Sequence, residues 1–406
     1  MHNGTKIKIV LFAYHTSSVL TQYWRALKDK SDCCWVTFSP SIFKELKQGG
    51  HQNVVFRDIA GPSFRPAFLC AMIKKIKAYF CKNLYPRLIK KTLDEIDPDI
   101  IITNVTLPLL GYASRAMKVQ VFHSVCYKKY VMIPETLEHD LILLAGQLYK
   151  DELCKRFTVK NPDKLRVVGW PRVDDFVSNK YTAEDRSKFM NMLGLDPTLK
   201  NVLYAPTWSA FYKRGMFPRS FGEVTDAFEE FCRRLKPLNI NLIIRLHSIN
   251  SKLASNPALH RIADKYGVCF YRQLRSEYFD NLGELFLWSS DVLISDVSGI
   301  IPDYLVLNRP IVYIEPETER VSWEHSDLPK EYRAGVVATT MHELVEGVRR
   351  GLNDPGEFDA QRRKIMHKIF YKLDGRSSLR AAETVLNYYR ETFSPQRSRI
   401  IQDAVA

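Results

Sequence analysis

The chain has 406 residues, 46% of them hydrophobic and 26% charged, with 18 Gly and 20 Pro. This length excludes a single small module, because domains cluster near ~100 to 200 residues, and the composition excludes a disordered or fibrous chain. Lys and Arg number 59 against 45 Asp and Glu, and the resulting net charge of +14 favours anionic partners: nucleic acid, nucleotide-linked substrates or an acidic membrane surface.

Cysteines and apolar runs indicate a reduced chain that does not span a membrane. The eight cysteines are scattered, and the only close pair, Cys33 and Cys34, lacks the spacing of a zinc or redox motif. The run Ile9–Tyr14 is too short for a signal-peptide core, and no stretch approaches the ~18 apolar residues of a spanning helix. We therefore expect no metal centre, and a cytoplasmic location, soluble or peripheral at the inner face of the membrane.

Short β-branched runs alternate with longer helical patterns, which is typical of parallel sheets covered by helices on both faces. The first predicted strands are Lys8–Tyr14, Cys34–Ser39, Val54–Asp58, Asp99–Asn104, Val119–Ser124, Leu141–Gly146 and Leu165–Gly169. After the polar stretch Ser178–Lys200, a second series comprises Asn201–Thr207, Leu242–His247, Val268–Arg272, Asp291–Val297, Pro310–Glu315 and Gly335–Thr339. Helical patterns close the chain at Met341–Gly351, Gly356–Phe370 and Ser377–Phe393.

Two series of strands predict an α/β protein with two doubly wound domains. We place the domains at 1–180 and 181–375, followed by a C-terminal helix and tail at 376–406. In a doubly wound sheet, ligands bind beyond the carboxyl ends of the strands. Residues at those ends are therefore the first candidates for a functional site.

The segment Phe64–Lys91 combines cations and apolar side chains without a single Asp or Glu. Its Lys74, Lys75 and Lys77 interleave with aliphatic and aromatic residues, as in a basic amphipathic helix lying on anionic lipid, where each cation contributes ~1 kcal/mol. The alternative is an ordinary crossover helix with a basic outer face. Binding to anionic vesicles that weakens as salt rises would distinguish the two.

Two histidines are predicted to end strands, His123 in VQVFHS and His247 in NLIIRLHS, the latter preceded by Arg245. An imidazole with a pKa near ~6.5 can act as a base or donate to a phosphate oxygen at neutral pH. A lone histidine is more often structural, but matching positions in two halves favour a shared role. If the two domains face each other across a cleft, one imidazole from each wall would converge on the ligand.

The segment Asp291–Pro316 is predicted to form a buried strand, a polar turn, a helix and another buried strand. The turn presents the Asp296 carboxylate, the Ser298 hydroxyl and the backbone N–H of Gly299 at a helix N-terminus. Free donors and the macrodipole there favour a phosphate by up to ~2 kcal/mol. The alternative is simple N-capping by Ser or Asp.

Another predicted strand end carries the run YAPTW, which includes Thr207. The residues that follow include Lys213, Arg214 and Arg219, and such a basic loop suits a diphosphate. The alternative is a solvated surface loop. The motifs GxxxxGK[ST], GxGxxG, HExxH and GxSxG are missing, and so is any recognisable nucleic-acid module, so we predict no nucleic-acid partner.

Taken in order over roughly Lys118 to Tyr389, these segments resemble the CDP-glycerol glycerophosphotransferase family that builds teichoic acid chains. The matching segments are DLILLAGQLYKDELCKRF, VVGWPRVDDF, NVLYAPTW, LIIRLHS, DVLISDVSGIIPDYLVLNRPIVYI and LDGRSSLR. They are similar to the family's "spfy...f", "GYPRND", "LYAPTWR", "RxHP", "DILITDYSSxxFDYxxLxKPI" and "DGxAxxR". Several weak motifs in the right order are more specific than any one of them.

The resemblance implies a GT-B fold, in which two Rossmann-like domains face a cleft and no metal or cofactor is needed. It implies that His123 and His247 are the two catalytic histidines and that Ser298 lies in the turn that binds the donor phosphates. The sequence departs from the family at FHSVCYKK, where the family has WHGTPxK, and at HS, where it has HP. Both changes keep the imidazole.

The function implied is transfer of a polyol phosphate from a CDP-linked donor to a hydroxyl of a lipid-linked or polysaccharide acceptor. His123 would act as the base, and Thr207, Arg245, Asp296, Ser298 and Gly299 would bind the donor. One alternative is a GT-B glycosyltransferase that uses a nucleotide sugar. Another is a non-catalytic protein that binds membrane or nucleic acid through its charge alone.

Overall fold

The computed structural model describes residues 6–13, 17–57, 87–104, 115–125, 132–207, 223–247, 251–271, 282–315 and 330–394. Contacts divide the chain into two units. The first contains the described residues of 1–123, 131–171 and 376–406, and the second those of 124–130 and 172–375. The predicted domain bounds at 180/181 and 375/376 stay predictions.

The first unit contains a seven-stranded parallel sheet in the order β3-β2-β1-β4-β5-β6-β7. Its strands are β1 (Lys8–Ala13), β2 (Asp32–Thr37), β3 (Val54–Phe56), β4 (Ile100–Thr103), β5 (Met117–Gln120), β6 (Leu141–Leu144) and β7 (Leu165–Val167). Its helices are α1 (Ser18–Leu27), α2 (Pro40–Gln48), α3 (helical over 87–96), α4 (Gln147–Arg156) and α14 (Ser377–Tyr388), which a π-helical turn extends over Tyr389–Phe393.

Helix α14 belongs to the first unit although it ends the described chain. It packs against α1 and β6. The Arg380 guanidinium donates to the carbonyl of Val168 at 3.0 Å, and the Tyr389 hydroxyl donates to the Asp99 carboxylate at 2.8 Å. The chain therefore returns to the unit in which it started.

The second unit contains a six-stranded parallel sheet in the order β10-β9-β8-β11-β12-β13. Its strands are β8 (Asn201–Tyr204), β9 (Asn241–Ile244), β10 (Cys269–Phe270), β11 (Val292–Ser295), β12 (Ile311–Ile314) and β13 (Val336–Ala338). Its helices are α5 (Asp174–Val177), α6 (Ala183–Met192), α7 (Val224–Leu235), α8 (Ser251–Ala254), α9 (Pro257–Tyr266), α10 (Leu282–Ser289), α11 (Ile301–Leu305), α12 (Met341–Asn353) and α13 (Asp359–Ile369).

Amphipathic helices bury this second sheet. On α7, Phe228, Phe231 and Leu235 recur at helical spacing, and all three pack in one core cluster with the strands and with α9 and α12. Each apolar side chain of this size that is removed from water contributes about 1.5–3 kcal/mol. The strand sequences are nearly continuous apolar runs, because helices cover both faces of a parallel sheet.

Each predicted strand overlaps an observed strand, and the predicted α/β class is confirmed. Two bounds that matter for the site differ. Strand β5 ends at Gln120 and β9 ends at Ile244, so His123 and His247 each follow their strand by three residues instead of closing it.

The predicted membrane segment lies mostly outside the described residues. Lys74, Lys75 and Lys77 belong to the part that is not described, and only 87–91 of Phe64–Lys91 fall within α3. The lipid-binding role of these lysines therefore stays a prediction. Among the described helices, none combines the length and apolar character needed to cross a bilayer.

Candidate functional site

The candidate residues of the second unit gather where its strand order reverses. Strand β8 lies between β9 and β11, and ladder hydrogen bonds continue past the strand ends from Ala205 N–H to the Ile294 carbonyl at 3.0 Å and from Arg245 N–H to the Tyr204 carbonyl at 2.9 Å. The carboxyl ends of these three strands are therefore neighbours. A reversal point of this kind is where doubly wound sheets bind ligands.

The turn after β11, Ser295–Gly299, is tied to the end of β8 by two buried contacts. The fully buried Asp296 carboxylate accepts the Thr207 N–H at 3.0 and 3.1 Å, and the Ser295 hydroxyl donates to the Ala205 carbonyl at 2.7 Å. A hydrogen bond to a buried charge is worth about 1.5–3 kcal/mol. Thr207 and Asp296 thus hold each other in place, while Ser298 and Gly299 remain partly exposed.

The helix after this turn is short. Helix α11 begins at Ile301 and has five residues, and the Ile301 N–H donates back to the Ser298 carbonyl at 3.2 Å. Ser298 and Gly299 therefore lie just before the helix. So few aligned peptide groups give a small macrodipole, and phosphate binding at this turn stays a prediction. The groups available there are the Ser298 hydroxyl and the turn backbone.

Arg245 is a half-buried cation at the end of β9. Its guanidinium lies 5.5 Å from the centroid of the Phe286 ring, and it makes no ion pair within the part of the chain that the structure describes. Burial lowers the pKa of Arg245; Tyr271 acts in the opposite direction, and the positive charge of Arg172 lowers this pKa further. A guanidinium held beside a like charge without its own carboxylate is suited to bind an anion.

The two predicted catalytic histidines lie in different units and are not topologically equivalent. His123 is partly exposed after β5 of the first sheet, and His247 is exposed after β9 of the second. β5 is the fifth strand of its sheet in chain order, whereas β9 is the second of its own. The histidines match only in their distance from a strand end, and their convergence stays a prediction.

Three charged residues near this site were missed by the sequence analysis. Arg172, where the chain returns to the second unit, forms an ion pair with Asp303 of α11 at 2.9 Å, and Glu284 lies buried in α10. Arg172 and Asp303 lie within the quoted segments VVGWPRVDDF and DVLISDVSGIIPDYLVLNRPIVYI, but neither was singled out. Their pairing joins residues far apart in the sequence, so no local pattern could reveal it.

Glu284 is a buried acid near this site whose protonation is displaced. Its carboxylate accepts a hydrogen bond from the Tyr181 hydroxyl at 2.9 Å. Burial, with a smaller contribution from the charge of Asp175, raises the pKa of Glu284 to about 7, against opposing effects of Tyr181, Arg172 and Lys180. Glu284 therefore changes charge near neutral pH.

The free energy of unfolding is expected to depend on pH through Glu284. Because its pKa in the folded state, about 7, exceeds the ordinary 4.5, its stabilising contribution is complete below pH 4.5 and is lost as pH rises through 7. Through this one group, the free energy of unfolding changes by at most ~1.4 kcal/mol per pH unit. Urea unfolding at pH 5 and pH 8 should show Glu284→Gln gaining stability relative to wild type at the higher pH. Glu184→Gln, at an exposed position of α6, is the control, and its stability relative to wild type should be the same at both pH values. The expectation is contradicted if the stability of Glu284→Gln relative to wild type is also the same at pH 5 and pH 8.

The described residues contain no group of three or more His, Cys, Asp or Glu that could hold a metal ion.

Residues 113–387, more than half of the chain, match the model of the CDP-glycerol:poly(glycerophosphate) glycerophosphotransferase family. The chain belongs to this family. The matched range includes both histidines, Arg245 and the Ser295–Gly299 turn, so the resemblance stated from the sequence is confirmed.

Relatives of the glycerophosphotransferase family match parts of the chain. Over 160 residues it is 27% identical to a teichoic acid poly(glycerol phosphate) polymerase of Bacillus spizizenii, and the alignment covers 37% of this chain and 35% of that relative. The chain therefore spans about a third of the length of the curated relative it matches.

Solved structures share the fold over nearly the whole chain. A variant of the wall teichoic acid polymerase TagF soaked with CDPG has a TM-score of 0.62 and 16% identity, covering 96% of this chain and 90% of that one. A putative UDP-N-acetylglucosamine 2-epimerase from Listeria monocytogenes has a TM-score of 0.63 and 15% identity, covering 96% and 98%. At such identities the likeness shows the fold alone, and it confirms the predicted GT-B class with two Rossmann-like domains.

Proposed function

We propose that this chain transfers glycerol phosphate, or another polyol phosphate, from a CDP-linked donor to a hydroxyl of a lipid-linked or polysaccharide acceptor, with release of CMP. Membership of the glycerophosphotransferase family supports the reaction class. The observation that carries the proposal is that Arg245 and the partly exposed Ser298 and Gly299 follow β9 and β11, the two strands that flank β8 at the reversal point of the second sheet. This is the kind of place where a donor diphosphate binds.

In the proposed reaction, His123 accepts the proton of the acceptor hydroxyl. The hydroxyl oxygen then forms a bond to the β-phosphorus of the donor, and the bond from that phosphorus to the bridging oxygen breaks. CMP leaves with the bridging oxygen and its electron pair. Positioned base catalysis of this kind contributes ~100-fold to 10,000-fold.

The second unit would hold the donor. Arg245, His247 and Ser298, with the backbone N–H groups of Ser298 and Gly299, would donate hydrogen bonds to the diphosphate and offset the charge of the departing CMP. Thr207 and Asp296 are proposed to act by fixing the turn, because their contact is with each other. The proposed site thus separates groups that touch the donor from groups that shape the loop.

The proposed acceptor is a glycan carried on membrane lipid or on the cell surface. Peripheral contact with an anionic membrane at the inner face through Lys74, Lys75 and Lys77 would bring the enzyme to such an acceptor. Each cation near an anionic surface is worth about 1 kcal/mol. Co-sedimentation with anionic vesicles, lost in the triple Lys→Glu variant, tests this part separately from catalysis.

A second candidate is a GT-B glycosyltransferase that uses a nucleotide sugar. The observation that favours it is the shared fold with an enzyme whose name specifies a UDP-linked sugar. In that reaction the diphosphate would occupy the same turn, but attack would fall on carbon and a nucleoside diphosphate would leave. The identity of the released nucleotide therefore distinguishes the two functions.

A screen of nucleotide-linked donors tests the proposal. CDP-glycerol, CDP-ribitol and several UDP- and GDP-sugars are incubated with the protein and a glycan acceptor, and release of CMP, UDP or GDP is followed. We expect acceptor-dependent release of CMP from a CDP-polyol. Reactions without acceptor report donor hydrolysis and serve as the control. Release of UDP or GDP alone would replace the proposed function by the second candidate.

A further inference from the structure

Arg172 begins the long stretch 172–375 of the second unit and lies in a 3-10 turn over Pro171–Val173. Its guanidinium Nη2 lies 2.9 Å from Oδ2 of Asp303. The side chain of Asp303 is only 2% exposed and that of Arg172 is 18% exposed, so water screens the pair weakly. Removing one member of such a pair takes away the opposite charge that the pair supplies to the buried partner.

Asp303 lies in the middle of α11, the helix that follows the Ser295–Gly299 turn. Its helix neighbours Ile301, Tyr304 and Leu305 are fully buried. The N–H of Ile301 donates to the carbonyl of Ser298 at 3.2 Å, which connects the helix directly to the turn. A shift of α11 would therefore be passed to the backbone of Ser298 and Gly299.

Arg172 also adds charge to the site. It lies close enough to Arg245 to lower the pKa of that guanidinium and close enough to Glu284 to oppose the rise of its pKa. With Asp303 as its partner, Arg172 is already neutralised by a buried carboxylate. Arg245 has no such partner among the described residues, so it is the better placed of the two to receive a phosphate.

We propose that Arg172 is a positioning residue for the donor diphosphate: through its ion pair with Asp303 it fixes α11, and through α11 it holds the Ser298–Gly299 turn in the form that binds phosphate. The proposal rests on the proposed function for the location of the donor. It differs from a direct contact of Arg172 with the donor, because in the direct case Asp303 would not be needed.

A double-mutant cycle separates positioning from direct contact. Arg172→Ala, Asp303→Asn and the double variant are titrated by calorimetry with cytidine, CMP and CDP. We expect each single variant to weaken CDP binding at least tenfold and cytidine binding less than twofold, because cytidine carries no phosphate for the turn. The double variant should lose no more CDP affinity than either single variant, since both changes remove the same ion pair. Arg172→Lys, which keeps a cation, should recover part of the loss.

The matched control is the ion pair between Arg186 and Asp291, with an Nη2–Oδ2 distance of 2.6 Å and side chains 23% and 18% exposed. This pair belongs to the same unit but lies at the amino end of β11, away from the turn. Arg186→Ala should lower the midpoint of thermal unfolding without changing the ratio of CDP to cytidine affinity. That ratio is the readout that a merely structural role would not move.

Three results would overturn the positioning role: wild-type CDP affinity in Asp303→Asn, additive losses in the double variant, or equal losses for cytidine and CDP. If Arg172→Ala does not fold, Arg172→Gln and Asp303→Asn, which keep similar volumes, decide the same question. If wild type binds UDP but not CDP, the proposed function fails and the cycle is run with uridine, UMP and UDP. A wild type that binds neither diphosphate contradicts both proposals.

Discussion

His123→Ala and His247→Ala are each expected to abolish transfer while leaving the fold intact. Loss of the proposed general base at His123 removes a contribution of ~100-fold to 10,000-fold. His247 is expected to matter comparably, because it would hold the charge that develops on the leaving group. His123 is partly exposed and His247 is exposed, so neither truncation opens a cavity in the core. The measurement is the rate of CMP release together with thermal unfolding.

His342→Ala is the control for both histidine variants. His342 is exposed on α12 of the second unit and has no proposed role in the reaction. Its variant should retain the wild-type rate and the wild-type midpoint of unfolding. Near-wild-type turnover in His123→Ala, with normal unfolding, would remove His123 from the mechanism, and the same result for His247 would leave donor binding to Arg245 and the turn.

Ser298→Asp is expected to weaken binding of CMP and of a CDP-linked donor by well over tenfold, which corresponds to ~1.4 kcal/mol or more. Ser298 is partly exposed in the turn, so the new carboxylate would lie against the proposed diphosphate. Like charges repel strongly where side chains are half-buried. Because hydrogen bonds of Asp296 and Ser295 to the end of β8 already hold the turn, the variant should fold normally.

Calorimetric titration of the nucleotide measures this effect, and two variants control it. Ser298→Ala removes the hydroxyl without adding charge and should cost much less. Ser187→Asp adds the same charge to the same unit on α6, whose Arg186 pairs with Asp291 at the amino end of β11, and it should leave affinity unchanged. Unchanged nucleotide affinity in Ser298→Asp would mean that the donor binds elsewhere.

The class of fold and the strand ends at which chemistry is expected could both be predicted from local sequence patterns. Continuous apolar runs such as Ile100–Thr103 and Ile311–Ile314 mark buried parallel strands, and the spacing of Phe228, Phe231 and Leu235 marks a helix. These are short-range signals, because a strand or helix exposes its periodicity within a few residues. The polar residues that follow each run are therefore recognisable as site candidates from local sequence alone.

Which strand ends are neighbours depends on the tertiary structure. The order that places β8 between β9 and β11 brings the carboxyl ends of these three strands to one edge of the sheet, and it also shows that His123 and His247 follow strands of different rank. Strand order depends on how the two faces of the sheet pack against helices. A stretch of a few residues carries no information about that packing. The sequence pattern therefore could not show that Asp296 is buried against the Thr207 N–H.

The same reason explains the missed pair. Arg172 meets Asp303 only because the chain returns to the second unit beside α11, and the ion pair joins residues far apart in sequence.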